Sequence, residues 1–207
     1  MLRTLRKLDR GLTPTVSRPA LAELAALVTE AMFKNLRRDA AKYACFGGWQ
    51  THPGFWIVAV YRLGVWAHAR PSRWLRWPLW LLYRLLRLPL LIFRVELWAG
   101  ARGAKVGAGF CLIHPTNVMI GSGVELGADC LVFHDVTIGT GTMPGVPKIG
   151  NMVDIYPGAR LLGGIAIGDG CMIGANCVVT RDVPAGSVVV VAPSRIIPRS
   201  LSMVANG

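Results

Sequence analysis

The sequence predicts a mainly β protein with helices, in which a helical N-terminal region precedes a parallel β-helix. Residues 1–98 hold most of the aromatic and arginine residues, whereas residues 99–192 are rich in Gly, Val and Ile. In the second half, aliphatic residues recur at every sixth position, a period that matches neither a 3.6-residue helix nor an alternating strand. A chain of 207 residues is long enough to bury a substantial core in this arrangement.

Three helices are predicted before the repeat. Residues 20–45 contain good helix formers after Pro19, and the segment GGWQTHPG then interrupts the helical pattern. FWIVAVYRLGVWAHA at 55–69 predicts the second helix, and the dipeptide PS at 71–72 begins the third.

The third helical segment carries a basic stripe. At 100° per residue, five arginines fall within about 80° of arc on an otherwise apolar helix, namely Arg73, Arg76, Arg84, Arg87 and Arg94. This pattern predicts a helix that lies on an anionic membrane surface, or one whose apolar face is buried in an oligomer. A membrane-spanning helix is a further alternative, which five arginines and two prolines in residues 73–98 disfavour.

The net charge of +12 raises the question of a polyanionic partner. The basic residues are spread through the apolar half and form no nucleic-acid motif, so we expect a membrane surface or a small anionic ligand rather than nucleic acid. The five cysteines form no C-x-x-C pair and their number is odd, which predicts reduced, buried thiols in a cytoplasmic protein. The basic N-terminus is not followed by an apolar signal core, so no secretory peptide is expected.

The six-residue period forms two unbroken series of aliphatic residues. They are Ile120, Leu126, Val132 and Ile138, then Ile149, Ile155, Leu161, Ile167, Ile173 and Val179. Short strands that turn at every sixth residue bury one such side chain per side of the coil, with small residues at the corners. A Gly-rich β-sandwich does not predict this spacing. Ile138 and Ile149 are eleven positions apart instead of six, which predicts that residues 139–147 leave the coil as a loop.

Two histidines are predicted to be neighbours. Leu112 and Ile120 are eight residues apart instead of six, so the corner that carries His114 bulges outward. One full coil separates Leu112 from Val132, which places His114 and His134 at the same corner of adjacent turns, where strands stack roughly 4.8 Å apart. A neutral imidazole is suited to remove a hydroxyl proton near pH 7, although a histidine that only fills a polar corner is the alternative for both positions.

The segments HPTNVMIGSGVELG, VTIGTG, PKIG and IGANCVVTRDVPAGS resemble the hexapeptide-repeat acyltransferases, most closely serine O-acetyltransferases and related polysaccharide O-acetyltransferases. The resemblance covers roughly residues 53–198. It implies a left-handed β-helix at 99–198 after a helical region at 1–98, with a tail at 199–207. It also implies acetyl-CoA as acyl donor, a homotrimer or dimer of trimers with active sites between subunits, and a loop that reaches over the acceptor pocket.

The resemblance assigns roles to the polar residues. HPTNVMIG matches the motif of the family's catalytic base at His114, whereas His134 with Asp135 resembles the His-acid pair of hexapeptide N-acetyltransferases. His134 is therefore either the base or a partner of His114. An acid that orients the base belongs in the segment before the first coil, which places Glu96 in that role if about three extra residues follow it; Asp135 is the alternative.

The same comparison addresses both substrates. Ile113 replaces the acceptor-binding acid of serine acetyltransferases, and Val146 replaces their substrate histidine, which favours a sugar or lipid-precursor hydroxyl over serine. The positions that match the family's CoA contacts are Gly139, Thr140, Gly163, Gly164, Ala175, Arg181 and Arg195. Small residues let the pantetheine arm approach the backbone, and guanidinium groups bind phosphate.

The predicted function is therefore an acetyl-CoA-dependent O-acetyltransferase, cytoplasmic or peripheral on the inner face of the membrane. N-acetylation of an amino sugar and a noncatalytic trimeric membrane scaffold are the alternatives. No metal is expected, because a β-helix metal site requires three converging histidines and the repeat supplies two.

Overall fold

The computed structural model describes residues 18–70, 72–97, 103–141 and 144–192. In these residues the helices are α1 (Arg18–Lys42), α2 (Pro53–His68) and α3 (Arg73–Arg87), with 3-10 segments at Tyr43–Phe46, Trp49–Thr51 and Leu88–Phe93. Short strands follow: β1 (Glu96–Leu97), β2 (Lys105–Val106), β3 (Cys111–Leu112), β4 (Met119–Ile120), β5 (Glu125–Leu126), β6 (Leu131–Val132), β7 (Thr137–Gly139), β8 (Lys148–Ile149), β9 (Asp154–Ile155), β10 (Arg160–Leu162), β11 (Ala166–Ile167), β12 (Met172–Ile173), β13 (Val178–Val179) and β14 (Val188–Val189).

The strands build a parallel β-helix, as predicted. Sheet A contains β1, β4, β7, β10 and β13, sheet B contains β2, β5, β8 and β11, and sheet C contains β3, β6, β9, β12 and β14. Consecutive strands thus belong to different sheets. The aliphatic residues of the repeat pair in register, as Ile120 with Ile138 and Ile138 with Leu161, and all of them are buried. Their stacking forms the dry interior of the coil.

Two glycines allow close backbone contacts that the fold requires. A Cβ atom at Gly127 would lie 2.5 Å from the backbone of Gly150 on the next turn, so only glycine fits at this corner between sheets B and C. A Cβ atom at Gly54 of α2 would lie 2.0 Å from the carbonyl oxygen of Leu112 in β3. Helix α2 therefore packs directly on the coil backbone, two residues before His114.

The third helix ends before the last arginine of the predicted basic stripe. Helix α3 ends at Arg87, a 3-10 segment continues to Phe93, and Arg94 adopts a left-handed backbone conformation with φ of 53°. The prediction that Arg94 continues the stripe is wrong, because Pro89 has no N–H group to extend the α-helix. Among the helices of the described residues, none combines the length and the apolar composition that a membrane-spanning helix needs.

All five cysteines are free thiols, and four of them are buried as predicted. Cys45 is exposed, which corrects the prediction at this position. Burial raises the pKa of Cys130 to about 11 and that of Cys111 to about 12, so both thiols stay protonated near neutral pH.

Candidate active site

The two histidines of the repeat face each other at the corner between sheets C and A. The ring centroids of His114 and His134 lie 6.3 Å apart, with the ring planes inclined by 67°. His114 is exposed and His134 is half-buried. Within the described residues, Nδ1 of His134 is buried and has no hydrogen-bond partner. The predicted pairing of the imidazoles is confirmed, and it produces a polar corner open on one side.

Backbone conformation exposes His114 at this corner. His114, Asn117 and Asp135 all have positive φ angles, between 50° and 57°, which are uncommon for residues other than glycine. Hydrogen bonds hold them in place: the Thr116 N–H donates to the His114 carbonyl over 2.7 Å, and the Asp135 N–H donates to the Thr116 carbonyl over 3.0 Å. The Asn117 amide also donates to the Asp135 carboxylate over 2.8 Å, which joins the two turns.

The helices support the corner from beneath. The Tyr43 hydroxyl accepts a hydrogen bond from the Leu112 N–H over 2.9 Å and donates to the Leu112 carbonyl over 3.3 Å. Burial raises the pKa of Tyr43, so the hydroxyl keeps the proton that this donation requires. Tyr43, Phe55, Cys111 and Ile113 form a buried cluster. Ile113 is thus part of an apolar contact between helix and coil.

The two predicted acids differ in position. Asp135 is exposed and its carboxylate accepts the hydrogen bond from Asn117. Glu96 is exposed on β1, where it pairs in register with Met119. Glu96 and Met119 are 23 residues apart in the sequence, whereas the paired residues Lys105 and Glu125 on the next strands are 20 apart. The difference agrees with three extra residues after Glu96. Within the described residues neither carboxylate bonds to an imidazole.

Four of the small residues proposed for CoA binding lie at the edge of sheet A next to sheet B. Gly139 is the last residue of β7 and Gly163 directly follows β10, and the Gly163 N–H donates to the Gly139 carbonyl over 2.9 Å. Thr140 continues this edge, and the space beside the Gly139 Cα is open. The Gly164 N–H donates to Pro144 over 3.0 Å, which holds the loop against the coil.

The remaining CoA candidates lie elsewhere. Ala175 is at the histidine corner, where it lines a depression of about 600 Å³ together with His134 and Asp135. Arg181 is exposed after β13, near the last turn of the coil. Arg195 lies outside the described residues.

Sequence reasoning missed Asn117 and Arg160. Arg160 lines the depression beside His134 and donates from Nη1 to the Thr137 hydroxyl over 2.9 Å. A signal for Arg160 existed, because it directly precedes the buried Leu161 of the repeat and so faces outward from sheet A. Asn117 had no comparable signal. In the part of the chain that the structure describes, no cluster of three His, Cys, Asp or Glu residues could hold a metal ion.

Comparison with known proteins identifies the family. The model of the family "Bacterial transferase hexapeptide (six repeats)" matches residues 147–181. A serine acetyltransferase of Helicobacter pylori is 38% identical over 151 residues, which cover 72% of this chain and 83% of that protein. The chain belongs to the serine acetyltransferase family. This confirms the predicted resemblance and the prediction of an acetyltransferase.

Two further comparisons set the extent of the likeness to other serine acetyltransferases. One from Mycobacterium tuberculosis is 36% identical over 152 residues, covering 72% of this chain but 62% of that protein. The chain thus spans less than two thirds of the length of this relative. A solved serine acetyltransferase in complex with CoA superposes with a TM-score of 0.61 at 22% identity, over 89% of this chain and 79% of that one. At 22% identity, this structural similarity shows a shared fold.

Proposed function

We propose that this serine acetyltransferase family member is an acetyl-CoA-dependent O-acetyltransferase whose catalytic base is His114. The observation that carries the proposal is the pair of imidazoles 6.3 Å apart at an open corner of the coil. CoA is the ligand of one solved relative of the same fold, which supports acetyl-CoA as the donor.

The reaction needs one proton acceptor and one oxyanion site. The neutral imidazole of His114 takes the proton of the acceptor hydroxyl while the hydroxyl oxygen attacks the thioester carbonyl. The negative charge moves to the carbonyl oxygen of the tetrahedral intermediate, where backbone N–H groups of the coil or of the 139–147 loop stabilise it. Collapse of the intermediate breaks the C–S bond, and the imidazolium gives its proton to the CoA thiolate. The products are an acetyl ester and free CoA.

An orienting carboxylate completes the proposed machinery. We assign this role to Glu96, because its register beside Met119 agrees with the three-residue offset that the family motif requires. Asp135 is the alternative, and it acts on the corner through Asn117. His134 is a partner of His114 in this scheme, since its half-buried ring is less accessible to an acceptor.

The placement of the small residues supports an active site between subunits. His114, His134 and Ala175 lie at the corner between sheets C and A, whereas Gly139 and Gly163 lie at the opposite edge of sheet A. One copy therefore presents the base and these glycines on different sides. We propose a homotrimer, or a dimer of trimers, in which the histidine corner of one copy and the glycine edge of its neighbour enclose acetyl-CoA.

Serine is the acceptor named for the relatives, and it is the reference acceptor for assays. Two positions of this chain offer no group for an amino acid. Ile113 is only 4% exposed and packs against the helices, and Val146 is half-buried against the coil. Both side chains are apolar, so neither can bind an ammonium or a carboxylate group. These positions favour a hydroxyl acceptor other than a free amino acid.

A thiol-release assay with acetyl-CoA tests the proposed activity. We expect CoA release that depends on a hydroxyl acceptor, from a panel of serine, hexoses and glycolipid precursors, with membranes present and absent. Hydroxylamine treatment of the products should release the acetyl group, because it cleaves esters and leaves amides intact. A product that resists hydroxylamine would instead show the N-acetylation of an amino sugar. If no acceptor of the panel causes CoA release, the result would favour a noncatalytic scaffold.

We also propose that helix α3 holds the enzyme at an anionic membrane surface, on the inner face of the membrane. Trp74 and Trp77 are 93% and 68% exposed, and the guanidinium of Arg84 lies 4.7 Å from the centroid of the Trp80 ring. Exposed indoles beside guanidinium groups are typical of helices that lie at the headgroup level.

Vesicle sedimentation tests this membrane association. We expect binding to vesicles that contain phosphatidylglycerol and little binding to vesicles of phosphatidylcholine alone. Exchange of both Trp74 and Trp77 for Ala should weaken the binding roughly tenfold, since it removes the apolar anchors. The variant Phe33→Ala, which changes an exposed aromatic residue on α1, is the matched control. Equal binding by both variants would contradict the proposal.

A further inference from the structure

A basic cleft lies beside the histidine corner, on the outer face of sheet A. Its volume is about 490 Å³, and its lining includes Arg87, Arg94, Glu96, Asn117, Thr137 and Arg160. Three arginines and one glutamate are thus among the lining residues, which gives the cleft a net positive charge. Such a cleft favours a ligand with more than one negative charge, because each guanidinium can form paired hydrogen bonds with phosphate oxygens.

Arg94 and Arg160 are held in place by the elements around the cleft. The left-handed conformation of Arg94 is fixed on both sides, as its N–H donates to Leu91 over 2.9 Å and the Asn117 N–H donates to Phe93 over 2.9 Å. Arg160 is exposed, and it lines both this cleft and the depression that contains His134. An anion in the cleft is therefore next to His134, whose ring centroid lies 6.3 Å from that of the proposed base His114.

The cleft continues into an apolar groove along α3. The groove measures about 320 Å³ and is lined by His68, Trp80, Tyr83, Arg84, Arg87, Leu88 and Leu91. Arg87 and Leu91 line both spaces, so the basic cleft and the apolar groove meet at these two residues. A single molecule could therefore place a charged head in the basic cleft and a hydrocarbon tail in the apolar groove.

We infer that the acceptor is an anionic amphiphile that also carries the hydroxyl to be acetylated; its phosphate or diphosphate group binds Arg94 and Arg160, and its hydrocarbon tail lies along α3. The inference rests on the proposed O-acetyltransferase function and specifies the class of its acceptor. It also explains why apolar side chains at Ile113 and Val146 are compatible with a binding site: the recognised charge is the phosphate in the cleft.

Binding measurements on the full chain test the inference with three probes. Farnesyl diphosphate carries both head and tail, inorganic pyrophosphate carries the head, and farnesol carries the tail. We expect farnesyl diphosphate, at concentrations below its self-association, to bind at least roughly tenfold more tightly than either other probe. Arg94→Gln and Arg160→Gln should each weaken farnesyl diphosphate and pyrophosphate roughly tenfold and leave farnesol unchanged.

Matched variants separate the parts of the site. Leu88→Ser should weaken the binding of farnesyl diphosphate and farnesol but not of pyrophosphate, because Leu88 lines the apolar groove and is not among the lining residues of the basic cleft. Arg37→Gln, which removes an exposed arginine on α1, should change none of the three affinities. Arg160→Lys keeps the charge without the planar fork and should give an intermediate affinity. Unchanged melting temperatures would show that the variants remain folded.

Two results would overturn the inference. Arginine variants that lose CoA affinity while retaining farnesyl diphosphate affinity would show that these guanidinium groups bind the phosphates of the donor. Equal affinities for farnesyl diphosphate and pyrophosphate would remove the role of the groove. If serine is acetylated and farnesyl diphosphate neither binds nor inhibits, the inference fails while the proposed function stands. Loss of acetyl transfer to every acceptor would instead count against the proposed function.

Discussion

Replacement of His114 by Asn should lower the rate of acetyl transfer by about 10²- to 10⁴-fold, which is the usual contribution of a general base. The amide of Asn has no basic nitrogen to accept the acceptor's proton, although it is close in size to one edge of the imidazole. Asn also tolerates the φ of 50° at this position better than Ala. The change therefore removes the base with little disturbance of the corner.

Two control measurements show whether the lower rate results from the loss of the base. The affinity for CoA and the oligomeric state of His114→Asn should stay close to those of the parent chain, because Asn keeps a polar side chain at this position and His114 belongs to neither buried cluster of the described residues. His134→Asn should reduce the rate much less than His114→Asn. If His134→Asn loses the activity while His114→Asn keeps it, the base is His134, and the reactive group is this half-buried ring, whose Nδ1 has no hydrogen-bond partner among the described residues.

The six-residue period predicted the coil because it follows directly from the packing of side chains inside a β-helix. Each turn must bury one aliphatic side chain per sheet, so Ile120, Ile138 and Leu161 recur at the spacing of the strands and stack in register. The neighbouring positions of His114 and His134 followed from the same count, since residues separated by one full coil occupy the same corner.

Contacts between distant segments were not predictable by counting. The hydrogen bond between Asn117 and Asp135 depends on two left-handed residues at a corner, and the approach of Gly54 to Leu112 depends on how α2 docks on the coil. Neither leaves a periodic signal. The end of α3 at Arg87 had a local signal in Pro89, but the angular pattern of the arginines continued past it and concealed the break.

A buried ion pair between the helices and the coil was also absent from the sequence reasoning, and its loss should destabilise the fold strongly. Asp39→Ala should lower the free energy of unfolding by about 3–5 kcal/mol, the usual effect of leaving a buried charge unpaired. The Asp39 carboxylate accepts from Nε and Nη2 of Arg62 over 2.9 and 3.0 Å, and from the Phe110 N–H over 2.9 Å. Denaturant unfolding followed by circular dichroism measures this change.

The partner residue explains why the effect is large and why it extends to the active site. Asp39 is fully buried and Arg62 is 5% exposed, so removal of the carboxylate leaves a guanidinium without its counter-charge. Arg62 also donates to the Val106 carbonyl over 2.6 Å, which ties α2 to the first coil. Hydrogen exchange should therefore accelerate at residues 104–113, immediately before the His114 corner.

The double variant Asp39→Leu with Arg62→Met separates pairing from packing. It should be less destabilised than Asp39→Ala, because no unpaired charge remains buried and the apolar side chains fill part of the space. The exposed pair of Lys105 and Glu125 is the control, and Glu125→Gln should leave the unfolding midpoint unchanged. A double variant as unstable as the single one would mean that the hydrogen bonds to Phe110 and Val106, rather than the charge pair, dock the helices on the coil.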